Sequence, residues 1–374
     1  ELAKMGEVLT NSQIGGRRNI IINGAMNVAQ RATSATGLGA DGFTYNTVDR
    51  FKNVMAGSSA GRYTQTQTAV TDLPGFATCL KFDCTTADTS IAADEILQFG
   101  QYFEGQDVQQ LKKGTSDAEA VTVSFYVKGN ASATYTCELE DADNTRYNAQ
   151  TFSVTTSWNR VVLTFDADTS GTLDNDNANS LRLNIFLHAG STYTGGTFSS
   201  NTWQTTNNQR ANSSQTSFYD STDRTFFITG VQMEIGSTAT PFEHRSLAEE
   251  LRLCQRYYEV VLDASKTTSD FSSYAPWGGI LQCSKVDQIN YNPRFMVEKR
   301  SHASTMTHTS GTNYYRAYNH SDNKYVNNFG YATQNVNHNI GGLLYMSISS
   351  GTEGKAFYLQ MMNSSIKMAF DSEL

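Results

Sequence analysis

Long apolar runs are absent. No stretch of about 18 apolar residues occurs, so no segment is long and apolar enough to cross a membrane as a helix, and no membrane insertion is expected. Proline is scarce, with 4 residues, and charged residues make up only 17%, below the roughly 25% usual in soluble domains. Cysteines number 5. Scattered as Cys79, Cys84, Cys137, Cys254 and Cys283 without a Cys-x-x-Cys pair, they exclude a zinc framework and a dense disulfide scaffold. Cys137 falls in an alternating apolar pattern and reads as a small core residue. Basic charge is in the minority, 28 Lys plus Arg against 36 Asp plus Glu, a net charge of −8. That balance disfavours nucleic-acid binding along phosphates and adhesion to an anionic membrane. The opening Glu1-Leu2-Ala3-Lys4 has neither an initiator Met nor a signal-peptide pattern, which predicts a piece of a longer or processed chain.

Glycine (28 residues), Ser, Thr and Asn fill the space that charge leaves, and aromatics stand at 11% with 19 Tyr and 20 Phe. A chain so rich in rings is not disordered. It reads as short strands joined by polar turns. Val121, Val123, Phe125 and Val127 alternate with polar or amphipathic residues, the period of a half-buried strand. Tyr135, Cys137 and Leu139 repeat the pattern, as do Leu181, Leu183, Ile185 and Leu187. Phe227, Thr229, Val231, Met233 and Ile235 are expected to share one face of a further strand. Strands without intervening helices predict an all-β fold, with a jelly-roll β-sandwich over residues 19–245. Ser246-Leu247-Ala248-Glu249 has the form of a capping box and opens a linker helix expected over residues 246–263. Residues 264–374 form a second β-sandwich or barrel, a tip domain closed by strands near 343–348, 354–361 and 365–371. Residues 1–18 hold a short helix whose Leu2, Met5 and Leu9 make an apolar stripe too short to stand alone.

Two well-known patterns occur without their context. Gly37-Leu38-Gly39-Ala40-Asp41-Gly42 matches G-x-G-x-x-G but is followed by no helical period, so it reads as a flexible loop. Gly57-Ser58-Ser59-Ala60-Gly61 matches G-x-S-x-G, again without the helix, and reads as a hairpin turn. A calcium loop is the stronger candidate. Asp166, Asp168, Ser170, Gly171 and Asp174 follow EF-hand spacing, although Asn177 replaces the closing Glu and strands flank the loop. A true EF-hand is excluded. A looser structural Ca²⁺ site with Asp166, Asp168 and Asp174 as ligands is expected. No carboxylate pair and no metal-spaced histidine pair stands out among His188, His244, His302, His308, His320 and His338, so each reads as structural or surface.

Trp158 opens a strand and reads as core. Trp203 stands in the polar stretch from Ser191 to Asn212, where an exposed indole must pack or bind something. Tyr314, Tyr315, Tyr318, Tyr325, Phe329 and Tyr331 are interleaved with Asn313, Arg316, Asn319, His320, Asp322 and Asn323. Rings cover the C–H faces of sugars and amides match hydroxyls, so Tyr315, Arg316, Tyr318, His320 and Tyr325, with Trp203, are the candidate ligand contacts. Plain Tyr-rich strands are the competing explanation.

Several stretches resemble a known family. Asn19-Ile20-Ile21-Ile22-Asn23-Gly24-Ala25-Met26-Asn27-Val28-Ala29-Gln30-Arg31 and Thr47-Val48-Asp49-Arg50-Phe51 are similar to the start of a module common in tail-fibre and other appendage proteins of tailed bacteriophages, marine ones especially. Val121–Gly129 and Thr155–Phe165 resemble paired strands of its carbohydrate-binding jelly roll. Thr229–Gly236, Ala239-Thr240-Pro241-Phe242-Glu243 and Leu253–Glu259 resemble its closing strand and following helix. The ending Phe370-Asp371-Ser372-Glu373-Leu374 is also similar to such phage proteins. Phe51 stands where a Trp is common, and Ser191–Asn212 looks like a variable insertion. The resemblance covers residues 5–260 well and the rest weakly, on fold-forming residues without a family catalytic site.

The resemblance implies a virion protein that binds without catalysing. The expected function is a receptor-binding tail fibre attaching the virion to host surface glycans. Its N-terminus would meet other tail proteins, in a parallel homotrimer closed by the Leu2, Met5 and Leu9 seam. A capsid-fibre or tail-adaptor scaffold is the alternative. A depolymerase tailspike is disfavoured because long β-helix repeats are missing. Receptor contact is expected in residues 264–374.

Overall fold

The protein is described here by a computed structural model covering residues 18–266, 277–301, 305–319, 322–327, 329–332, 341, 343–348 and 350–374. The expected helix with Leu2, Met5 and Leu9 lies outside the described residues. Contacts divide the chain into two units, one running to Leu251 and taking in Leu374, the other Arg252–Glu373.

The first unit is a jelly-roll β-sandwich. Its strands are β1 (Ser34–Leu38), β2 (Gly42–Thr44), β3 (Lys52–Ala56), β4 (Arg62–Ala69), β5 (Thr78–Thr86), β6 (Ile96–Glu104), β7 (Val121–Gly129), β8 (Ala133–Asp141), β9 (Arg146–Val154), β10 (Asn159–Phe165), β11 (Asn179–Ala189) and β12 (Thr225–Ile235). They form two antiparallel sheets, ordered β1-β4-β5-β12-β7-β10 and β2-β3-β6-β11-β8-β9. From β5 to β8 each successive strand changes sheet, the wiring of a jelly roll. The alternating residues meet between the sheets. Val121, Val123, Phe125 and Val127 face Tyr135, Cys137, Leu139, Leu181, Leu183, Ile185 and Leu187 in one core. Each such side chain gains about 1.5–3 kcal/mol by leaving water. All five cysteines are buried and unbridged.

Strand β12 departs from simple alternation. Its register shifts between Thr229 and Gln232, at Gly230 with φ +63°. A Cβ there would lie 2.7 Å from the Phe76 ring. The extra residue swaps faces, so Phe226 and Ile228 point inward on one side of the bulge and Val231 and Met233 on the other. Phe227 and Thr229, expected inside, lie outside that core: Phe227 is half-buried, and Thr229 is buried elsewhere with its hydroxyl donating to the Thr78 carbonyl at 2.9 Å. Residues 57–61 also differ from expectation, because they join β3 to β4 across the two sheets and close no hairpin. Ser59 there donates to Asp88 Oδ2 at 2.8 Å.

The residues behind the family resemblance are pins. Asn19 Nδ2 donates to the Val231 carbonyl at 3.2 Å, and its Oδ1 accepts from Ile21 and Met233 N–H, tying the leading segment to the bulged strand. Asn23, at φ +62°, donates to the Val28 and Asp49 carbonyls. Asp49 accepts from Gln30 N–H and Nε2, and Glu243 from the Arg18 and Asn19 N–H groups. Buried polar groups satisfied in this way specify one path for a segment that has no strand of its own.

Two helices occur among the described residues, α1 (Ser191–Thr194) and α2 (Leu247–Gln255). Ser246 Oγ accepts from Glu249 N–H at 3.3 Å, as the capping pattern requires. The helix stops at Gln255, short of the expected 263. Tyr258–Asp263 is instead strand β13, because its β-branched Val260-Val261 and its Tyr258 suit a pleated surface.

The second unit adds β14 (Trp277–Lys285), β15 (Gln288–Tyr291), β16 (Thr305–His308), β17 (Tyr315–Asn319), β18 (Asp322–Val326), β19 (Gly330–Tyr331), β20 (Leu344–Ser347), β21 (Ala356–Met361) and β22 (Lys367–Asp371). A three-stranded sheet, β13-β22-β16, shares one core with a seven-stranded sheet, β18-β17-β21-β14-β15-β20-β19. Leu262, Met368 and Phe370 meet Leu281, Ile289, Leu344, Phe357 and Leu359 in that core.

Candidate functional site

The seven-stranded sheet has one face on the core and one facing away from it. Strand β17 reads Tyr315-Arg316-Ala317-Tyr318, and the alternation of the pleat sends Tyr315 and Ala317 inward and Arg316 and Tyr318 outward. Inter-strand register then lines up the outward side chains. Asn323, Tyr318, Tyr358 and Ile280 stand directly opposite one another on β18, β17, β21 and β14. The next row is Tyr325, Arg316 and Gln360. On the other side run Ala356, Gln282, Asn290 and Tyr345. Ile280 is 70% exposed, Tyr325 48%, Tyr345 40% and Tyr358 38%. Large apolar surface left in water at that density marks a binding face.

The rings are held in place. Arg316 Nε donates to Gln360 Oε1 at 2.7 Å, and its guanidinium lies 5.2 Å from the Tyr318 ring and 5.9 Å from that of Tyr325. Tyr345 lies over Gly330, where a Cβ would come within 2.3 Å of the ring, so the missing side chain lets the ring lie flat. A shallow pocket of about 300 Å³ opens among Ile280, Asn319, Ala356, Phe357 and Tyr358. From β18 to β20 the face spans five strand spacings, ~24 Å. Flat rings, an aliphatic surface and amides on a rigid sheet suit an extended ligand that alternates C–H faces with hydroxyls.

The structure thus brings together Arg316, Tyr318 and Tyr325 of the expected set. Tyr315 is corrected: it is fully buried, its hydroxyl donates to the Thr309 carbonyl at 2.7 Å, and burial pushes its pKa up. It adjoins Arg316 in the chain, and the pleat sends neighbouring residues to opposite faces. His320 lies outside the described residues, as do His302 and His338. Tyr358, Ile280 and Tyr345 were missed. Each sits singly in an ordinary strand pattern, and the sequence carries no signal of which strands become neighbours.

Trp203 does not stand free. It packs against the sandwich core, and its Nε1 donates to the Asp166 carbonyl at 2.7 Å. Trp158, expected in the core, lies on the outer face of the first sheet, with its Nε1 donating to Asp72 at 2.8 Å and Lys128 over its ring.

The expected calcium ligands are not brought into one set. Asp168 is bound by Arg146 at 2.7 and 2.9 Å and by the Lys113 ammonium at 3.0 Å. Burial works to raise its pKa, but hydrogen bonds from Arg146 and Lys113 outweigh this and hold it below the usual carboxylate range. Asp166 and Asp174 are exposed. No group of three or more His, Cys, Asp or Glu is arranged to hold a metal among the described residues. Lys113 Nζ also donates to the Ser170 and Gly171 carbonyls, both at 2.9 Å, and to Asp141. An ammonium fills the oxygen cage of the loop.

A second chemistry-bearing arrangement is internal. His188 is buried between Glu95 (Nε2 to Oε2, 2.9 Å) and Ser217 (Nδ1 to Oγ, 2.7 Å). A carboxylate only accepts, so Nε2 carries the proton and Nδ1 accepts from the serine. Ser217 Oγ also accepts from Tyr219 N–H, capping the turn Phe218–Asp220. Burial holds the His188 pKa below its usual value, against the opposing pull of Glu95 and Asp88. The unfolded chain therefore takes up this proton first as pH falls. The contribution of neutral His188 is fully present above the ordinary histidine pKa and is lost as pH falls toward the lower folded one. His188→Gln should flatten the decline in melting temperature between pH 7 and 5, an interval set by the ordinary value of ~6.5. Parallel melting curves for variant and wild type across that range would refute the assignment.

No protein-family model matches the chain, and no curated protein matches it in sequence. Some solved structures align with the chain. A structure described as "CBM4 structure and function" is 13% identical, covers 57% of this chain and 97% of its own, and has a TM-score of 0.30. A CBM61 bound to β-1,4-galactotriose is 9% identical over 59% of this chain and 99% of its own, with a TM-score of 0.29. The tandem CBM22-1–CBM22-2 domain of Paenibacillus barcinonensis Xyn10C is 11% identical over 92% of this chain and 100% of its own, with a TM-score of 0.27. At such values the likeness adds no argument to the geometry.

Proposed function

We propose that this chain is a glycan-binding attachment protein, a receptor-binding tail fibre of a tailed bacteriophage, and that the outward face of its seven-stranded sheet holds the host surface glycan. One observation carries the binding site: Tyr318, Tyr358 and Ile280 stand in register across three strands, Tyr358 and Ile280 exposed and Tyr318 half-buried, flanked by Asn323, Gln282 and Asn290. The virion setting is supported by the resemblance of residues 19–31, 47–51, 229–236, 239–243 and 253–259 to phage appendage modules. We further propose a parallel homotrimer joined through residues 2–10 and attached there to other tail proteins. Single sugar contacts are weak, and three faces on one trimer would multiply them by avidity.

The test is a glycan array probed with the full chain, followed by adsorption to cells that display the glycans found. The Tyr318→Ala, Tyr358→Ala double variant should lose on the order of a thousandfold in affinity, since truncating aromatic anchors at the centre of a contact costs about 2 kcal/mol or more each. Its melting temperature should stay near wild type because neither ring belongs to the core of the second unit. Absence of any glycan binding by the wild type, or full binding by the double variant, would overturn the assignment.

A further inference from the structure

Arg316 stands apart from the arginines that the sandwich uses for ion pairs. Arg146 pairs with Asp168, Arg182 with Glu140, Arg210 with Glu138 and Glu140, Arg224 with Asp220, and Arg245 with Glu250. Arg316 has no carboxylate partner among the described residues. Its Nε is used by Gln360, and one N–H of Nη1 points to the Tyr325 hydroxyl at 3.4 Å. A guanidinium has five N–H donors in a rigid fork, so the rest of the fork is left over. Its position is fixed by those two neutral partners and by the rings of Tyr318 and Tyr325. A fixed, uncompensated cation within an aromatic face is the arrangement that selects an oxyanion with two oxygens to pair with the guanidinium fork.

We infer that the glycan bound on this face is acidic, carrying a carboxylate or a sulfate that sits on Arg316 while the adjoining rings lie on Tyr318 and Tyr358. The inference rests on the glycan reading above. The chain as a whole carries a charge of −8 and repels polyanions at long range. Selectivity is therefore a short-range property of this one fork. Beyond about 10 Å at 0.1 M salt, screening removes the opposing field of the remaining charges.

An array carrying neutral glycans, uronate and sialate glycans with their carboxyl-reduced forms, and sulfated glycans with their desulfated forms separates the outcomes. We expect binding confined to the acidic members, a loss of at least tenfold on carboxyl reduction or on desulfation according to which group is read, and weaker binding as salt rises. Arg316→Gln should bind each acidic glycan and its neutral counterpart alike, with an unchanged melting temperature, and Arg316→Lys should recover part of the preference. Equal binding of acidic and neutralised forms by the wild type would overturn this inference and leave glycan binding intact. A wild type that binds nothing on the array would overturn both.

Discussion

Replacing Arg210 by Met should lower the stability of the first unit by about 3–5 kcal/mol, the usual consequence of stranding a buried charge. Arg210 reaches from the stretch after α1 onto the second sheet, where Nε and Nη2 donate to the two oxygens of Glu138 at 2.8 and 2.7 Å and Nη2 also to Glu140 at 2.9 Å. Glu138 is fully buried and Glu140 nearly so. Burial raises the pKa of Glu138 and the neighbouring Glu140 raises it further, while Arg210 pulls it down. Without the guanidinium, the two carboxylates keep only Asn184 and Arg182 as partners. Glu138 would then hold its proton to higher pH than in the unfolded chain. The folded state binds more protons across that interval, so stability falls as pH rises through it. The gap between variant and wild type should therefore be widest at pH 8 and narrow toward pH 5. Calorimetry should show a drop in melting temperature on the order of 10 °C for a unit of this size. A variant that melts with the wild type at every pH would show that the pair contributes nothing net.

Lys113→Met is expected to cost a similar amount, about 3–5 kcal/mol. The ammonium is 5% exposed and joins Asp141, which is fully buried, to Asp168 and to two loop carbonyls. Asp168 keeps Arg146, but Asp141 is left with Asn144. The Trp203 ring, 5.0 Å from the ammonium, also loses its cation. Loss of the tie should release the loop from 166 to 176, visible as faster amide exchange there together with a fall in melting temperature. For the wild type, melting should be the same with excess Ca²⁺ and with a chelator, because the oxygen cage is already filled by a covalently attached cation. A rise in melting temperature with Ca²⁺ would restore the calcium expectation for Asp166, Asp168 and Asp174.

The loop shows where reading residues in order runs out. The spacing of its aspartates and glycine is a true record of an oxygen-lined turn. The cation that fills it comes from Lys113, more than fifty residues upstream by the numbering, and no local pattern announces that. The same holds for Arg210, which stands in a stretch that looks like a loose polar insertion, and whose neighbour Ala211 is packed with Ile96 and Phe186. In β12 the residue types were legible but the bulge at Gly230 was not, so one half of the strand was placed on the wrong face.

The sequence by itself determined the all-β architecture, because strict alternation at Val121–Val127, Tyr135–Leu139 and Leu181–Leu187 can bury its apolar half only in stacked sheets. It also determined the capped start of α2 and the closing strands, since caps and period are local. Tertiary structure alone decided which tyrosines share a surface. Tyr315 and Tyr318 are three residues apart and lie on opposite faces of a pleated strand, whereas Tyr318 and Tyr358 are forty apart in number and stand side by side. Pleat parity is local, but the register that joins two strands is set by the packing of the whole sheet, and the shared tyrosine face is a property of that register.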